Sequence, residues 1–284
     1  MSMFDQKVIK YEMKPLSSLE KVFPDETPVY RMECQMLSGL WGETVSFQVA
    51  YTGDFVMRER LDVRVVSELA EHVHVRTVEM VPVGRATNGI VDDNYLKTTS
   101  GLYPDLLKDL KDGKVIVYSR QWRSLWVDVD ITNEIPAGEY EIELQLVKEG
   151  EVVCSTKQKV TVVGTELPKL DIMHTEWMHA DCLADYYHVE VFSEEHWKLL
   201  ENYFQEYVKR DCNMMLTPLF TSPLDTAIGL ERTTCQLVDV EVKDGQYIFG
   251  FENLKRWIDL CKKCGIEYFE MSHLFSQWGA KYAP

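Results

Sequence analysis

Apolar and polar positions alternate with a period of two through much of the first 165 residues. Val45, Phe47 and Val49 are separated by polar or small neighbours. Leu125, Val127, Val129 and Ile131 repeat the pattern, followed by turn-forming residues at 133–138. Tyr140, Ile142, Leu144 and Leu146 come next, then a polar turn at 148–150, and a further run from Val152 that ends with Val160 and Val162. Side chains of a strand point alternately to its two faces, so this period marks half-buried strands. Short strands separated by Gly, Pro and Asn turns predict an antiparallel β-sandwich. One segment, 88–113, breaks the rhythm, and its stretch 106–110 reads as a short helix.

Past Gly164 and Pro168 the period changes. Residues 170–174 read as a strand. Ser193 is placed to cap a helix whose first turn holds Glu194 and Glu195. Trp197, Leu200, Phe204 and Val208 then fall on one face of that helix. Residues 213–217 predict a second strand. The run 237–251, with Asp244-Gly245 between two alternating halves, predicts a hairpin. Leu254, Trp257, Ile258 and Cys261 line one face of another helix, for which Gly265 is a stop signal. Residues 266–272 give a third strand. Strand–helix alternation of this kind predicts the opening of a (β/α)8 TIM barrel, about three β/α units long. The expected organisation is therefore multi-domain β plus α/β: a β-sandwich over 1–165, and an incomplete barrel over 168–284. A closed barrel takes roughly 250 residues, and less than half of that follows residue 168.

Bulk properties narrow the partners. The net charge of −16 opposes a phosphate backbone or an anionic bilayer, so neither nucleic acid nor membrane is expected. The N-terminus shows no apolar core of a secretion signal. Together with an odd number of cysteines, seven, this points to a cytoplasmic protein with reduced thiols.

Barrel enzymes bind substrate at the C-terminal ends of their strands. The expected ends carry Glu176, Trp177, His179 and Asp181 after the first strand, Asp225 after the second, and His273 and Trp278 after the third. An indole can stack on the apolar C–H face of a sugar while imidazoles and carboxylates bind its hydroxyls. These seven are the candidate substrate-binding residues. Cys261-x-x-Cys264 lacks the second pair a structural zinc site needs, so buried thiols are the expectation. His72-x-His74 reads as two surface imidazoles on one strand face, and Asp25-Glu26 as a solvated turn. No P-loop, G-x-G-x-x-G or G-x-S-x-G occurs. Neither a cofactor nor a metal is expected.

The stretches TEWMHADCLADYYHVEVFSEEHW and EMSHLFSQWGAKYAP resemble the start of the catalytic barrel in glycoside hydrolases of family 123. GETVSFQVAY, GLYPDLL and WRSLWVDVDITNEIPAGEYEIEL resemble that family's N-terminal domain. A related group is filed as a domain of unknown function. The resemblance implies a retaining β-N-acetylgalactosaminidase or β-N-acetylhexosaminidase type of hydrolase, in which the substrate's own acetamido oxygen attacks the anomeric carbon. An adjacent Asp-Glu pair on a later strand would orient that group and supply the acid/base. The only such pair here, Asp25-Glu26, lies in the expected sandwich, so no catalytic residue is assigned. The leading expectation is a fragment of a carbohydrate-acting hydrolase that is inactive alone. Two alternatives stay open: a non-catalytic carbohydrate-binding or scaffolding protein, and half of a split enzyme. Self-association or a second chain completing the barrel would be its protein partners.

Overall fold

The structure is a computed structural model of the 284-residue chain, and it describes residues 10–28, 36–55, 57–87, 89, 91–169, 171–220 and 232–272. The chain divides into two compact units, Met1–Pro168 and Lys169–Pro284.

The first unit is built from two five-stranded sheets. One holds β1 (Lys10–Ser17), β3 (Thr44–Asp54), β8 (Arg123–Asp130), β5 (Val73–Val83) and β6 (Gly101–Asp109), in that order. The other holds β2 (Met36–Trp41), β10 (Glu151–Glu166), β9 (Gly138–Lys148), β4 (Glu59–Val66) and β7 (Lys114–Val117). Neighbours pair antiparallel except β2 and β10, which run parallel. The period-two residues are the cause of the shared core. Phe47, Val49, Leu125, Val127 and Val129 of the first sheet meet Leu61, Ile142, Leu144, Leu146 and Val160 of the second. Glu149 (φ 52°) and Gly150 (φ 88°) close the β9–β10 hairpin with the left-handed pair that matches strand twist.

Two polar groups finish the outer face of the first sheet. Gln48 is buried, and its amide reaches the Glu20 carbonyl at 2.6 Å while it accepts from Ser124 at 2.9 Å. Asp128 collects Arg76 at 2.8 Å, Ser46 at 2.6 Å and the Trp126 indole at 2.7 Å.

The helix expected at 106–110 does not form; those residues lie in or just after β6. That strand is at the sheet edge, is largely exposed, and fills the free hydrogen-bonding side of β5. Its leucines satisfy a helical spacing, but the β5 edge offers a ladder that an isolated turn of helix cannot match. Pro104 is tolerated because the strand is an edge. His72 and His74 do not share a strand face either. His72 ends a single 3-10 turn, Ala70–His72, whereas His74 lies in β5 with Nε2 3.2 Å from Asp130. Asp25 and Glu26 are both paired with Lys97, at 3.1 and 2.8 Å.

The second unit carries α1 (Ala180–Tyr187), α2 (Glu194–Val208), β11 (Met214–Thr217), β12 (Asp239–Lys243), β13 (Gln246–Gly250), α3 (Glu252–Cys264) and β14 (Tyr268–Met271). Strands β11 and β14 pair in parallel, from Met214↔Tyr268 to Thr217↔Met271, while β12 and β13 form the hairpin. Asp244 (φ 53°) and Gly245 (φ 75°) make its turn. Ser193 caps α2 as its sequence predicts, accepting the His196 N–H at 3.2 Å. Gly265 ends α3 at φ 103°, where a residue with a Cβ would be strained. Trp197, Leu200 and Phe204 pack with Trp257 and Cys261 of α3 and with Met215 of β11. The Phe204 and Trp257 rings meet edge-on at 5.0 Å. Among the described residues no helix is long and apolar enough to cross a membrane.

The strand expected at 170–174 is absent from the described part of that segment. Residues 171–178 are irregular, yet they run beside β11. The cause is Asn213. Its side-chain amide donates to the Ile172 carbonyl at 2.8 Å, and its side-chain oxygen accepts the His174 N–H at 2.8 Å. Backbone contact is left to the His174 carbonyl, which accepts from Asn213 and Met214 at 3.1 Å each. A side chain thus makes bonds that a neighbouring strand would make, and no ladder is propagated.

Candidate functional site

Four of the seven candidate residues lie in the described segment from Glu176 to α1. Asp225, His273 and Trp278 fall outside the described residues, as do Thr221 and Gln277.

Trp177 is half exposed, at 48%, and its ring is held in place. The indole N–H donates to Glu270 Oε2 on β14 at 3.0 Å. Behind it, Tyr207 of α2 fixes the backbone. Its hydroxyl accepts the Glu176 N–H at 2.8 Å and donates to the Met214 carbonyl at 2.6 Å. Burial raises the Tyr207 pKa, so the phenol keeps the proton this relay requires. An exposed aromatic ring is therefore tied to β14 by its N–H, with a carboxylate on its polar edge, while α2 fixes the backbone of the residue before it. That is chemistry suited to an apolar face with hydroxyls at its rim.

Glu176 projects outward, 3.3 Å from His174 Nε2, while His174 Nδ1 lies 3.2 Å from the Asp211 carbonyl. His179 stands at the N-cap position of α1, half-buried, without capping through its side chain. Asp181 differs from the other three. Its side chain is 9% exposed and its two oxygens meet the Arg232 guanidinium at 2.5 and 3.0 Å. One turn further along α1, Asp185 accepts from Thr233 at 2.7 Å. Carboxylates at i and i+4 thus clamp Arg232 and Thr233 onto one face of α1. The Asp181 carboxylate is committed to that structural pair.

A buried histidine sets the start of α1 against α2. His196 Nδ1 accepts the Phe192 N–H at 2.9 Å, and Nε2–H donates to the Ala180 carbonyl at 3.0 Å. Both partners require the neutral tautomer with Nε2 protonated, and burial lowers its pKa accordingly. The thiols of the unit are held protonated: burial pushes Cys235 up to about 12 and raises Cys261 and Cys212. Among the described residues no three His, Cys, Asp or Glu side chains converge on a metal-sized point. Near Met178, His179, Leu216 and Ser272 the described residues enclose a cavity of only about 10 Å³, close to the least that one water needs.

Sequence reading missed Glu270, Tyr207, Arg232 and His196. Glu270 carried a signal, since it is a carboxylate within the short apolar run YFEM of a strand paired to the buried Leu216. The other three are ordinary residues whose roles depend on contacts 31 to 51 positions away, or on burial.

The segment starting at Trp177 matches a glycoside hydrolase catalytic domain. Residues 177–284 match the family model described as "Glycoside hydrolase 123, catalytic domain". The resemblance read from the sequence is thereby borne out. Among solved structures, a family 123 glycoside hydrolase from Clostridium perfringens, studied for glycolipid glycan hydrolysis, is similar with a TM-score of 0.68 at 13% identity. The match covers 95% of this chain and 49% of that one, so this chain spans about half of its length. At that identity the likeness shows a common fold. A β-glucosidase from Listeria innocua in complex with isofagomine matches over 56% of this chain and 17% of its own, at 10% identity and a TM-score of 0.26. No curated protein matches the sequence.

Proposed function

We propose that this chain is the N-terminal part of a carbohydrate-acting glycoside hydrolase of the β-N-acetylhexosaminidase type, with the two sheets as its β-sandwich and Lys169–Pro284 as the opening of a (β/α)8 barrel. The observation that carries the reading is the held ring inside the matched segment: Trp177 is tied to Glu270 through its indole N–H, and Tyr207 fixes the Glu176 backbone beside it. Parallel β11 and β14 with helix α3 between them form a β–α–β unit, the repeat from which such barrels are made.

In this reading Trp177 stacks under the apolar face of an acetamido sugar. Glu176 and His179, with Asp225 and His273, bind its hydroxyls and acetamido group, and Trp278 stacks on the sugar as Trp177 does. The reaction in the complete protein is retaining and substrate-assisted. The acetamido oxygen attacks the anomeric carbon as the glycosidic oxygen takes a proton from a carboxylic acid, and water then opens the resulting ring with inversion. The matched segment holds no adjacent Asp-Glu pair to orient the acetamido group and shuttle the proton. The 284 residues therefore bind sugar and do not turn it over.

The test is to incubate the chain with 4-nitrophenyl N-acetyl-β-D-galactosaminide and the glucosamine epimer while measuring binding of the free acetamido sugars. Binding without release of nitrophenol supports the reading. Sustained release by purified chain would contradict the assignment of inactivity, and absence of binding to either sugar would contradict the sugar site.

A further inference from the structure

A groove of about 600 Å³ opens in the first unit between the β6 edge of one sheet and the β7 edge of the other. That volume lies within the roughly 300–1,000 Å³ of small-molecule sites. Its floor is apolar, with buried Tyr51 and Val115. Its charge is opposite to that of the protein. Arg60, Lys108, Lys111, Lys114 and Arg123 line it against two carboxylates, Glu79 and Asp109, in a chain of net charge −16.

The state of these cations is informative. Arg60 and Lys114 are neutralised by Asp112 at 2.9 Å and Asp62 at 3.3 Å. Among the described residues, Lys108, Lys111 and Arg123 have no carboxylate partner. Arg123 lies over the Tyr118 ring at 5.0 Å and spends one N–H on Gln121 at 3.2 Å. Its Nε is buried with no hydrogen-bond partner. Three cations of the groove, Lys108, Lys111 and Arg123, are thus not tied to a carboxylate and can meet an anion.

We propose that this groove binds a sugar bearing an anionic group, a carboxylate or a sulfate, with the anion on Arg123, Lys108 and Lys111 and the ring against the Tyr118 side. The choice of a sugar over other small anions rests on the glycosidase reading of the second unit. The anion site itself rests on the groove alone. The sheet unit thereby acts as a recognition module for acidic glycans, separate from the stacking site at Trp177.

The experiment is calorimetric titration of the full chain with glucuronate, galactose 6-sulfate, glucose and inorganic phosphate. It is repeated with Lys108→Glu/Lys111→Glu, two exposed positions, and with Arg123→Lys, with thermal midpoints as folding controls. Binding of either acidic sugar, loss of about tenfold or more in both variants, and weakening as salt rises support the proposal. Two results would overturn it: no binding of either acidic sugar, or glucose or phosphate binding as tightly as they do. Trp177 plays no part here, so failure at this groove leaves binding of neutral acetamido sugars untouched, and the reverse.

Discussion

Replacing Asp181 separates a structural carboxylate from a substrate-binding one. The Asp181–Arg232 pair is bidentate, and its side chains are 9% and 11% exposed. Removing one partner of a buried ion pair strands the other charge and costs about 3–5 kcal/mol. In Asp181→Ala Arg232 loses its bidentate carboxylate, so the main clamp that holds Arg232 on α1 is lost. At about 1.4 kcal/mol per tenfold, even the lower figure raises the local opening equilibrium of α1 by roughly 100-fold. Amide hydrogen exchange reads this directly. Protection over Ala180–Tyr187 falls by about that factor in the variant, while β3 and β8 keep theirs. The double change Asp181→Leu/Arg232→Met restores most of the protection, because an apolar pair of similar volume carries no stranded charge. If Asp181→Ala leaves exchange in α1 within about twofold of the parent and weakens sugar binding instead, the structural assignment is refuted.

Three further outcomes follow from the same contacts. His196 has its folded pKa below the ordinary 6.5, so the unfolded chain takes up the proton first as pH falls; the stability it supports is full above that value and declines below it. Unfolding of the second unit between pH 7.5 and 5.5 should therefore show a pH slope that His196→Gln flattens. Ser193→Ala removes the α2 cap and lowers stability by about 1 kcal/mol, read from chemical denaturation. Asp128→Ala strips acceptors from Arg76, Ser46 and Trp126; at roughly 1.5–3 kcal/mol for bonds to a charged group, it should destabilise the first unit by at least that much, measured the same way.

Where one physical rule dominated, the sequence was easy to read. Period two located β3, β8, β9 and β10 because their inward residues all enter one core. A capping serine, an apolar stripe and a terminal glycine located α2 and α3. Two readings failed where tertiary contact overrode local preference. The leucines near 106 had a helical spacing, but the open edge of β5 drew them into β6. The 170–174 segment has strand-like residues, but Asn213 took over part of its hydrogen bonding. Helix α1 was not foreseen: it is eight residues long and has no side-chain cap. At the site, exposed aromatic and charged residues drew notice by type, which found Trp177. Type alone could not reveal that Asp181 is buried against Arg232, fifty-one positions away. Nor could it show that Glu270 holds the indole.

The central claim is that the ring of Trp177 receives a sugar. The direct measurement is to follow the indole N–H of Trp177, assigned by comparison with Trp177→Phe, in a nitrogen-15 correlation spectrum during titration with N-acetylgalactosamine. The account predicts a saturable shift of that resonance, with binding weakened in Trp177→Ala by more than about 1 kcal/mol, the usual minimum for truncating an aromatic anchor. A resonance that stays fixed while the sugar binds elsewhere, or no binding at millimolar sugar, would contradict it.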